Sequence, residues 1–235
     1  MKFRGIEYIQ PESPQQAVAL QREMRGLVQV TPLPGPARFL AGVDAAFSRC
    51  GTTCYAAAVL WDLETGSVIE TTHGSAPVTM PYIPGLLSFR EAPALLAALS
   101  RLERQPDVLL CDGQGIAHPR RFGIACHIGL VTGLPALGCA KSRLVGRHRT
   151  PGPRRGSRAA LMDASERIGT VLRTRDGVKP LYVSVGSGLT LPEAERLALR
   201  SATRYRLPEP TRLADRQVAA FKKALAGLAD QSSVR

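Results

Sequence analysis

The feature that most constrains the fold is the order of strand-like and helix-like segments along the chain. Three strand-like segments come first and are separated only by turns, which predicts an antiparallel meander. Helix-like and strand-like segments then alternate, which predicts parallel strands joined by helices. In chain order the predicted elements are strands at 38–47, 53–62 and 67–72, a helix at 90–104, a strand at 107–112, a helix at 118–132 and a strand at 135–140.

The two ends of the chain complete this pattern. A helix is predicted over 13–26, where Ser13 is a plausible N-cap, Pro14 suits the first helical position and Gly26 closes the far end. Strands at 168–174 and 181–185 form a predicted hairpin, and a final helix runs from Leu191 to about Tyr205. A meander followed by alternating elements is the order of a ribonuclease-H-like α/β fold: a mixed sheet of three antiparallel strands and then parallel strands, flanked by helices.

The 235 residues suit a single domain spanning 1–235. No apolar run reaches the roughly 18 residues that a membrane helix needs, and polar residues rather than a signal core follow the first five. We therefore expect a cytoplasmic protein, monomeric and without a membrane partner. The sequence leaves open whether the tail after about 222 is ordered.

The net charge of +12 favours an anionic partner, and nucleic acid is favoured over an anionic membrane because no basic amphipathic helix is evident. Seven of the positive side chains fall in 141–158, a stretch without Asp or Glu. They are Lys141, Arg143, Arg147, Arg149, Arg154, Arg155 and Arg158. We predict that about 145–158 is a flexible arm that follows phosphates and gives a steep salt dependence; the alternative is a solvated loop that happens to be basic.

Two aspartates interrupt apolar strands. Asp44 lies inside LAGVDAAF, and Asp112 ends VLLCD. A carboxylate in a buried strand costs several kcal/mol unless a partner compensates it. A shared divalent ion explains both, because Mg²⁺ takes one or two carboxylates together with water and phosphate oxygens; the alternative for each alone is a cap or turn residue.

A proline-rich segment precedes Glu91. In Pro81-Tyr82-Ile83-Pro84-Gly85 the two prolines hold the chain extended and stiff, with Tyr82 between them. An aromatic ring on a rigid loop suits insertion into a base stack. The alternative is a ring that packs beneath the loop.

Six motifs in order resemble the endonuclease V family. They are LQREMRG, AGVDAAFS, PYIPGLLSFREAP, LLCDGQGIAHPRRFGIACHIGL, GCAKSRL and YRLPEPTRLAD, and together they span about 15–216. The resemblance implies a ribonuclease-H-like, Mg²⁺-dependent endonuclease, with Mn²⁺ as a substitute ion. It also implies cleavage at the second phosphodiester 3′ to inosine, in repair of deaminated adenine in DNA or in inosine-containing RNA.

The resemblance also implies roles for individual residues. Asp44, Asp112 and Glu91 match the acidic metal site, and Lys141 matches a lysine near the phosphates. Tyr82, between Pro81 and Ile83, matches the wedge that fills the gap left by an extruded base, and the loop around Gly113 and Gly115 resembles the base pocket. Such extrusion is required because hypoxanthine differs from the normal purines only at edges hidden in a paired stack.

Three further residues are candidates: His118 for binding nucleic acid and, as weaker candidates, Asp215 and Ser187. His118 could contact water or phosphate, or make a structural hydrogen bond. Asp215 matches an acidic position that closes the carboxylate cluster in related nucleases, or is a solvated helix residue.

The third, Ser187, stands where the family has a histidine after Val-Ser-Val-Gly. A serine cannot carry a proton near neutral pH, and general acid–base help is typically worth ~10² to 10⁴ in rate, so we expect a slower enzyme.

Two other interpretations remain. One is a catalytically weakened module that binds inosine, which would follow from Ser187. The other is a different ribonuclease-H-like nuclease, such as a junction resolvase, which would share the metal site but leaves the PYIPG segment unexplained. The Cys50-x₃-Cys54 spacing raises zinc, but no second Cys/His pair follows at a suitable distance, and we expect reduced, mostly buried thiols.

Overall fold

A computed structural model describes residues 2–232 of the chain, with side chains up to 226. It contains eight strands and five helices within that range. In chain order they are α1 (Pro14–Arg25), β1 (Phe39–Phe47), β2 (Thr53–Asp62), β3 (Ser67–Pro77), α2 (Ser88–Ser100), β4 (Val108–Cys111), α3 (Ile124–Thr132), β5 (Ala136–Ala140), β6 (Arg158–Asp163), β7 (Glu166–Leu172), β8 (Leu181–Ser187), α4 (Leu191–Ser201) and α5 (Glu209–Ser232).

All eight strands form one mixed sheet in the order β3-β2-β1-β4-β5-β8-β7-β6. Strands β1, β2 and β3 pair antiparallel, β4 and β5 join β1 in parallel, and β8, β7 and β6 return to antiparallel pairing. The predicted mixed sheet is therefore confirmed. The parallel part sits in the middle of the sheet, where both faces are covered.

Helices cover the sheet on both faces because its strands alternate in the direction of their side chains. On β1, Ala41 and Val43 pack with α2 and α3 in one apolar cluster. Leu40 packs in a second cluster, with α4 on the other face. Helix α5 joins this second face, since a Cβ added at Gly42 would lie 2.1 Å from the Pro210 backbone.

Several predicted boundaries were wrong. The helix predicted over 118–132 begins only at Ile124, because 118–123 forms a turn in which Arg121 has φ 55°. The helix predicted to reach Tyr205 ends at Ser201, and a second helix, α5, follows it. Pro208 and Pro210 explain the break, since proline lacks the N–H that a continuous helix needs.

The basic segment also contains structure that the sequence pattern did not predict. Its last residue, Arg158, begins β6, and Arg147 makes an isolated antiparallel bridge to Met162 on that strand. The predicted hairpin of β7 and β8 is confirmed. Helix α5 continues past Lys222 to Ser232, and 233–235 lie outside the described residues.

Among the described residues, no helix is both long and apolar enough to cross a membrane. All five cysteines are free, and only Cys50 is exposed. Cys50 and Cys54 thus differ in burial, and the two thiols do not form a joint site.

Candidate active site

Three neighbouring strands place three charged side chains near one edge and on one face of the sheet. Asp44 lies two residues after Gly42 on β1, Asp112 directly follows β4, and Lys141 directly follows β5. Along a strand, every second side chain points to the same face. Each of the three lies an even number of residues from a residue that faces α4 and α5, so all three point to that face. Parallel pairing aligns the strand ends, with Val43 opposite Cys111.

Helix α5 brings Asp215 to the same place. The close approach of Pro210 to Gly42 fixes the beginning of the helix against β1, and Asp215 lies about 7 Å farther along the helix axis. The charge of Asp215 is felt by both Asp44 and Lys141, whose pKa values it raises. Although exposed, this residue therefore lies beside the predicted carboxylates.

Glu91 approaches from the first turn of α2, on the opposite face. Burial, followed by the charges of Asp44 and Asp112, raises the pKa of Glu91 to about 8. Burial and the Asp112 carboxylate likewise raise the pKa of Asp44 to about 7. The three carboxylates are thus close enough to repel one another in a region poor in water.

Lys141 provides the compensating charge. Its Nζ lies 2.5 Å from Oδ2 of Asp112, and the two side chains are 46% and 11% exposed. Burial opposes the charge on Lys141, but the hydrogen bond and charge of Asp112 outweigh it and raise the pKa of Lys141. Among the described side chains, Lys141 is the one cation in a direct ion pair with these four carboxyl groups, so the site keeps a surplus of acidic groups.

This surplus and the oxygen-only donor set fit a hard divalent cation. Within the part of the chain that is described, no three His, Cys, Asp or Glu side chains form a ready metal-binding group. Mg²⁺ does not require one, because it is commonly held by one or two carboxylates with water and phosphate completing its shell. Asp44 and Asp112, on adjacent strands, can supply that pair.

Tyr82 projects from the proline-rich segment between β3 and α2. Its side chain is 68% exposed, so the ring does not pack beneath the loop. The guanidinium of Arg90 lies 5.9 Å from its ring centre. An exposed ring on a stiff segment is available for contact with a base.

A single carbonyl group anchors this segment. The oxygen of Gly85, which has φ 82°, accepts hydrogen bonds from Gln21 Nε2 at 2.9 Å and Arg120 Nη2 at 2.7 Å. It lies 3.1 Å from Nε2 of His118, whose Nδ1 accepts from the Arg120 backbone. Burial, followed by the charge of Arg120, lowers the pKa of His118 to about 4. A neutral His118 that donates to Gly85 is consistent with both bonds.

A cavity of about 420 Å³ joins the Tyr82 segment to the carboxylates. Tyr82, Pro84, Gly85, Glu91, Asp112, Gly113, Gln114, His118, Ile124, Lys141, Arg143 and Leu144 are among its lining residues. Its size is that of a small-molecule site. One opening therefore combines an exposed aromatic ring, partly apolar walls and three members of the charged cluster, Glu91, Asp112 and Lys141.

Some predicted residues do not line this cavity. Pro81 is exposed outside it, and Ile83 packs into the apolar cluster beneath the segment. Gly113 lines the cavity, but a Cβ at Gly115 would lie 1.9 Å from the Val185 carbonyl oxygen. The missing side chain of Gly115 thus serves the packing of its loop against β8 rather than the approach of a base.

The structure does not bring Ser187 to the site. Ser187 pairs with Ala136 at the beginning of β5, whereas Lys141 follows the end of that strand. Five residues of strand separate the two positions, about 16 Å. The Ser187 hydroxyl instead accepts a hydrogen bond from the Gln29 backbone at 3.2 Å. The expectation of a slower enzyme has no support in this geometry.

Sequence reasoning missed Gln21, Arg120 and Gln114. Gln21 is fully buried on α1 although glutamine is usually exposed, and its Oε1 accepts from Arg120 Nε at 2.5 Å. Gln114 lines the cavity and donates to the Ser142 carbonyl at 3.0 Å. Gln114 stands within the GQG loop, which was a usable signal, but no local pattern links Gln21 to a segment 64 residues away.

The sequence matches one protein family over most of its length. The family model described as Endonuclease V matches residues 22–216. The chain belongs to the endonuclease V family. An endonuclease V from Alkalilimnicola ehrlichii is 52% identical over 202 residues, which cover 86% of this chain and 89% of that protein. Since endonuclease V proteins are nucleases, the protein is an endonuclease.

Solved endonuclease V structures share the fold. The Streptomyces avermitilis protein is 42% identical, with a TM-score of 0.88 over 94% of this chain and 98% of that one. The Ciona intestinalis protein was solved with a 24mer DNA containing an inosine followed by a ribo-adenosine. It is 22% identical, with a TM-score of 0.77 over 88% of this chain and 96% of that one. The ribonuclease-H-like expectation for the fold is thus met by the endonuclease V architecture.

Proposed function

We propose that this protein is a Mg²⁺-dependent endonuclease that cleaves inosine-containing nucleic acid at the second phosphodiester 3′ to the inosine. The observation that carries the proposal is the cavity shared by Tyr82 and the cluster of Glu91, Asp112 and Lys141. A base held there lies beside the groups that act on the backbone. The position of the cut comes from the family resemblance.

Recognition begins with an extruded base. Tyr82 is exposed at the mouth of the cavity and can stack where the base leaves its neighbours. The walls of the cavity include Ile124 and Leu144, which suit the flat faces of a purine. Gln114 supplies an amide there, but its Oε1 is buried and without a hydrogen-bond partner in the described part of the chain. An amide fixed at a pocket wall suits reading of a base edge.

Catalysis is assigned to the charged end of the cavity. Mg²⁺ held by Asp44 and Asp112 would polarise the scissile phosphate and lower the pKa of a bound water. Glu91 orients the attacking water, because its carboxyl faces the two aspartates from the opposite side of the sheet edge. Lys141 already neutralises Asp112 and stabilises negative charge that develops on the phosphate. Asp215 completes the negative cluster on the α5 side.

The substrate class is tested by cleavage mapping. Wild type and Asp44→Ala are incubated in Mg²⁺, and separately in Mn²⁺, with single-stranded DNA and RNA that carry one inosine. Matched oligonucleotides with guanine at that position measure selectivity. Arg154→Gln is the matched control, because Arg154 is exposed and does not line the active-site cavity.

We expect wild type and Arg154→Gln to cut between the 3′ neighbour of inosine and the nucleotide after it, and Asp44→Ala not to cut. DNA and RNA arms decide between the two substrate types. Binding of the inosine oligonucleotide without any cleavage by wild type would instead support the weakened binding module. Equal cleavage of inosine and guanine substrates would reject the proposed selectivity.

A further inference from the structure

A second cavity, of about 740 Å³, opens at the free edge of the sheet. It lies between the segment 147–152 and strand β6, and the lining on the β6 side includes 158–160 and Met162. Four basic side chains border it: Arg147, His148, Arg149 and Arg158. No Asp or Glu is among its lining residues. We call this space the edge cleft.

The arginines around the edge cleft fall into two classes. Arg158 is 2.7 Å from Glu195 and is therefore compensated. Arg147 and Arg149 are exposed, and their side chains form no ion pair with any residue whose side chain is described. Two uncompensated charges thus face an open space, which favours an anionic occupant.

Hydrogen bonds fix both ends of the segment 147–152 that borders the cleft. Arg147 exchanges two backbone hydrogen bonds with Met162, at 2.6 and 2.8 Å. Farther along, the guanidinium of Arg173 donates to the carbonyls of Pro151 and Gly152, at 3.1 and 3.0 Å. Both ends of 147–152 are therefore fastened, so the backbone that carries Arg147 and Arg149 needs little ordering when a ligand binds.

The edge cleft and the active-site cavity are joined by a short stretch of chain. Arg143 lines the active-site cavity, and Arg147 lines the edge cleft. Four residues span at most about 14 Å, so the two openings lie within a few nucleotides of each other along a bound strand. Arg143 is itself exposed and uncharged neighbours separate it from Arg147. A single bound strand can reach both openings.

We propose that the edge cleft binds backbone phosphates of the substrate strand a few nucleotides from the inosine, through Arg147 and Arg149. The inference rests on the proposed function for the identity of the strand. It also assigns different tasks within the basic segment: Arg147 and Arg149 bind phosphate, whereas Arg158 maintains the fold through Glu195. Phosphates are recognised without regard to sequence, so the contact adds affinity and register but not base selectivity.

The test compares two double variants that remove equal charge. Arg147→Gln/Arg149→Gln alters the cleft, and Arg196→Gln/Arg200→Gln alters two exposed arginines on α4. Binding of labelled single-stranded DNA is measured over a range of salt, with EDTA present to prevent cleavage. A long oligonucleotide has inosine at its centre, and a short one ends about two nucleotides on either side of it.

For the long oligonucleotide we expect the cleft variant to reduce the slope of log K against log salt by about 1.4, since each phosphate contact on a single strand contributes about 0.7. The α4 variant leaves the slope near the wild-type value, and neither variant changes binding of the short oligonucleotide. Arg147→Glu/Arg149→Glu should lower affinity further in the same assay. Glutamate repels the phosphate, whereas glutamine only removes the attraction, so the affinity should be lower in the glutamate variant.

An unchanged slope in the cleft variant, an equal loss in the α4 variant, or an equal loss with the short oligonucleotide overturns the proposal. These results leave the proposed function intact as long as wild type cleaves the inosine substrate. Failure of wild type to cleave or to prefer inosine rejects the proposed function instead. The slope comparison still decides the cleft in that case, because a guanine oligonucleotide of the same length serves equally.

Discussion

Lys141 divides the functional surface into two regions that hold their charges in opposite ways. Before it in the chain, Asp44, Glu91 and Asp112 are partly buried among apolar strands and a helix. After it, the basic segment carries its arginines at the edge of the sheet, where most are exposed. Among the described side chains, the one direct ion pair of these carboxylates is that of Asp112 with Lys141. In the basic segment, Arg155 donates to the Leu199 carbonyl and Arg158 pairs with Glu195.

The difference shows what each region is built to do. Carboxylates held by strands and deprived of water keep a fixed geometry and a strong field, which suits a cation and a reacting phosphate. Arginines divided between structure and solvent can fasten a loop and still leave charges for an extended strand. The predictions below separate positions where charge serves chemistry from positions where it serves the fold.

The largest effect is expected at Asp44. In the proposed mechanism Asp44→Asn removes a charge that would hold Mg²⁺, so cleavage should fall by at least about 10³-fold. Stability without added metal should be retained or increased, because the variant removes a buried like charge next to Asp112 and Glu91. Cleavage rates and urea unfolding in EDTA measure the two effects. A marked loss of stability would mean that Asp44 supports the fold.

Arg173, which follows the basic segment in the chain, should affect stability rather than cleavage. It is buried and donates to the carbonyls of Pro151, Gly152 and Val178. Arg173→Ala should lower the free energy of unfolding by about 3 kcal/mol, because charged hydrogen bonds are lost and buried carbonyls are left unpaired. Arg154→Gln is the control and should change stability by less than about 0.5 kcal/mol. Similar small effects in both variants would show that the loop is not fastened by Arg173.

The region before Lys141 in the chain also contains neutral polar side chains that are buried. His127 packs against Tyr8, Phe89 and Phe122, and neither ring nitrogen has a hydrogen-bond partner within the described structure. Burial lowers the pKa of His127 from 6.5 to about 4. The unfolded chain thus binds a proton between these values that the folded chain does not.

Stability from this difference is complete above pH 6.5 and is lost as the pH falls towards 4, by about 3 kcal/mol. His127→Phe should therefore flatten the decline in unfolding free energy between pH 6.5 and 4. His118, whose pKa is also lowered to about 4, should leave a residual slope. Urea unfolding at several pH values is the measurement, and an unaltered pH profile would contradict the assignment.

Variants of Gln21 test whether the proline-rich segment that carries Tyr82 must be held in place. Gln21→Ala removes one donor to the Gly85 oxygen and the acceptor of Arg120 Nε. We expect about a tenfold loss of kcat/KM on inosine substrates, since a positioning contact is typically worth about 1.4 kcal/mol. Gln21→Glu retains the acceptor and should restore part of the rate. Equal loss on a substrate with a pre-exposed inosine at a strand end would indicate a general folding defect.

The smallest effect is expected at Ser187. Ser187→Ala removes a hydrogen bond from Gln29 and should cost about 1 kcal/mol of stability, with the cleavage rate unchanged. Ser187→His should not accelerate the reaction. Acceleration would restore the hypothesis that this position limits catalysis, against the separation of about 16 Å along β5.

The sequence was sufficient to predict where candidate residues lie in the fold when the alternation of side chains and the strand order decide their positions. Asp44 and Asp112 could be found because each breaks an apolar run, and adjacent parallel strands then align their ends. The resemblance gave Ser187 a role without a distance, and the structure places it away from the other candidates because β8 runs antiparallel to β5. Strand β6 and helix α5 were missed because basic and proline-rich flanks obscured their start.

The Gly85 carbonyl joins the first helix to the segment that presents Tyr82. Gln21 stands one position before the stretch 22–216 that matches the family, yet it donates a hydrogen bond to that carbonyl. A gene fragment trimmed to the matched stretch would retain the charged cluster but would lose one of the three side chains that contact the Gly85 oxygen. We therefore expect the position of Tyr82 to be less firmly fixed in such a fragment than in the full chain.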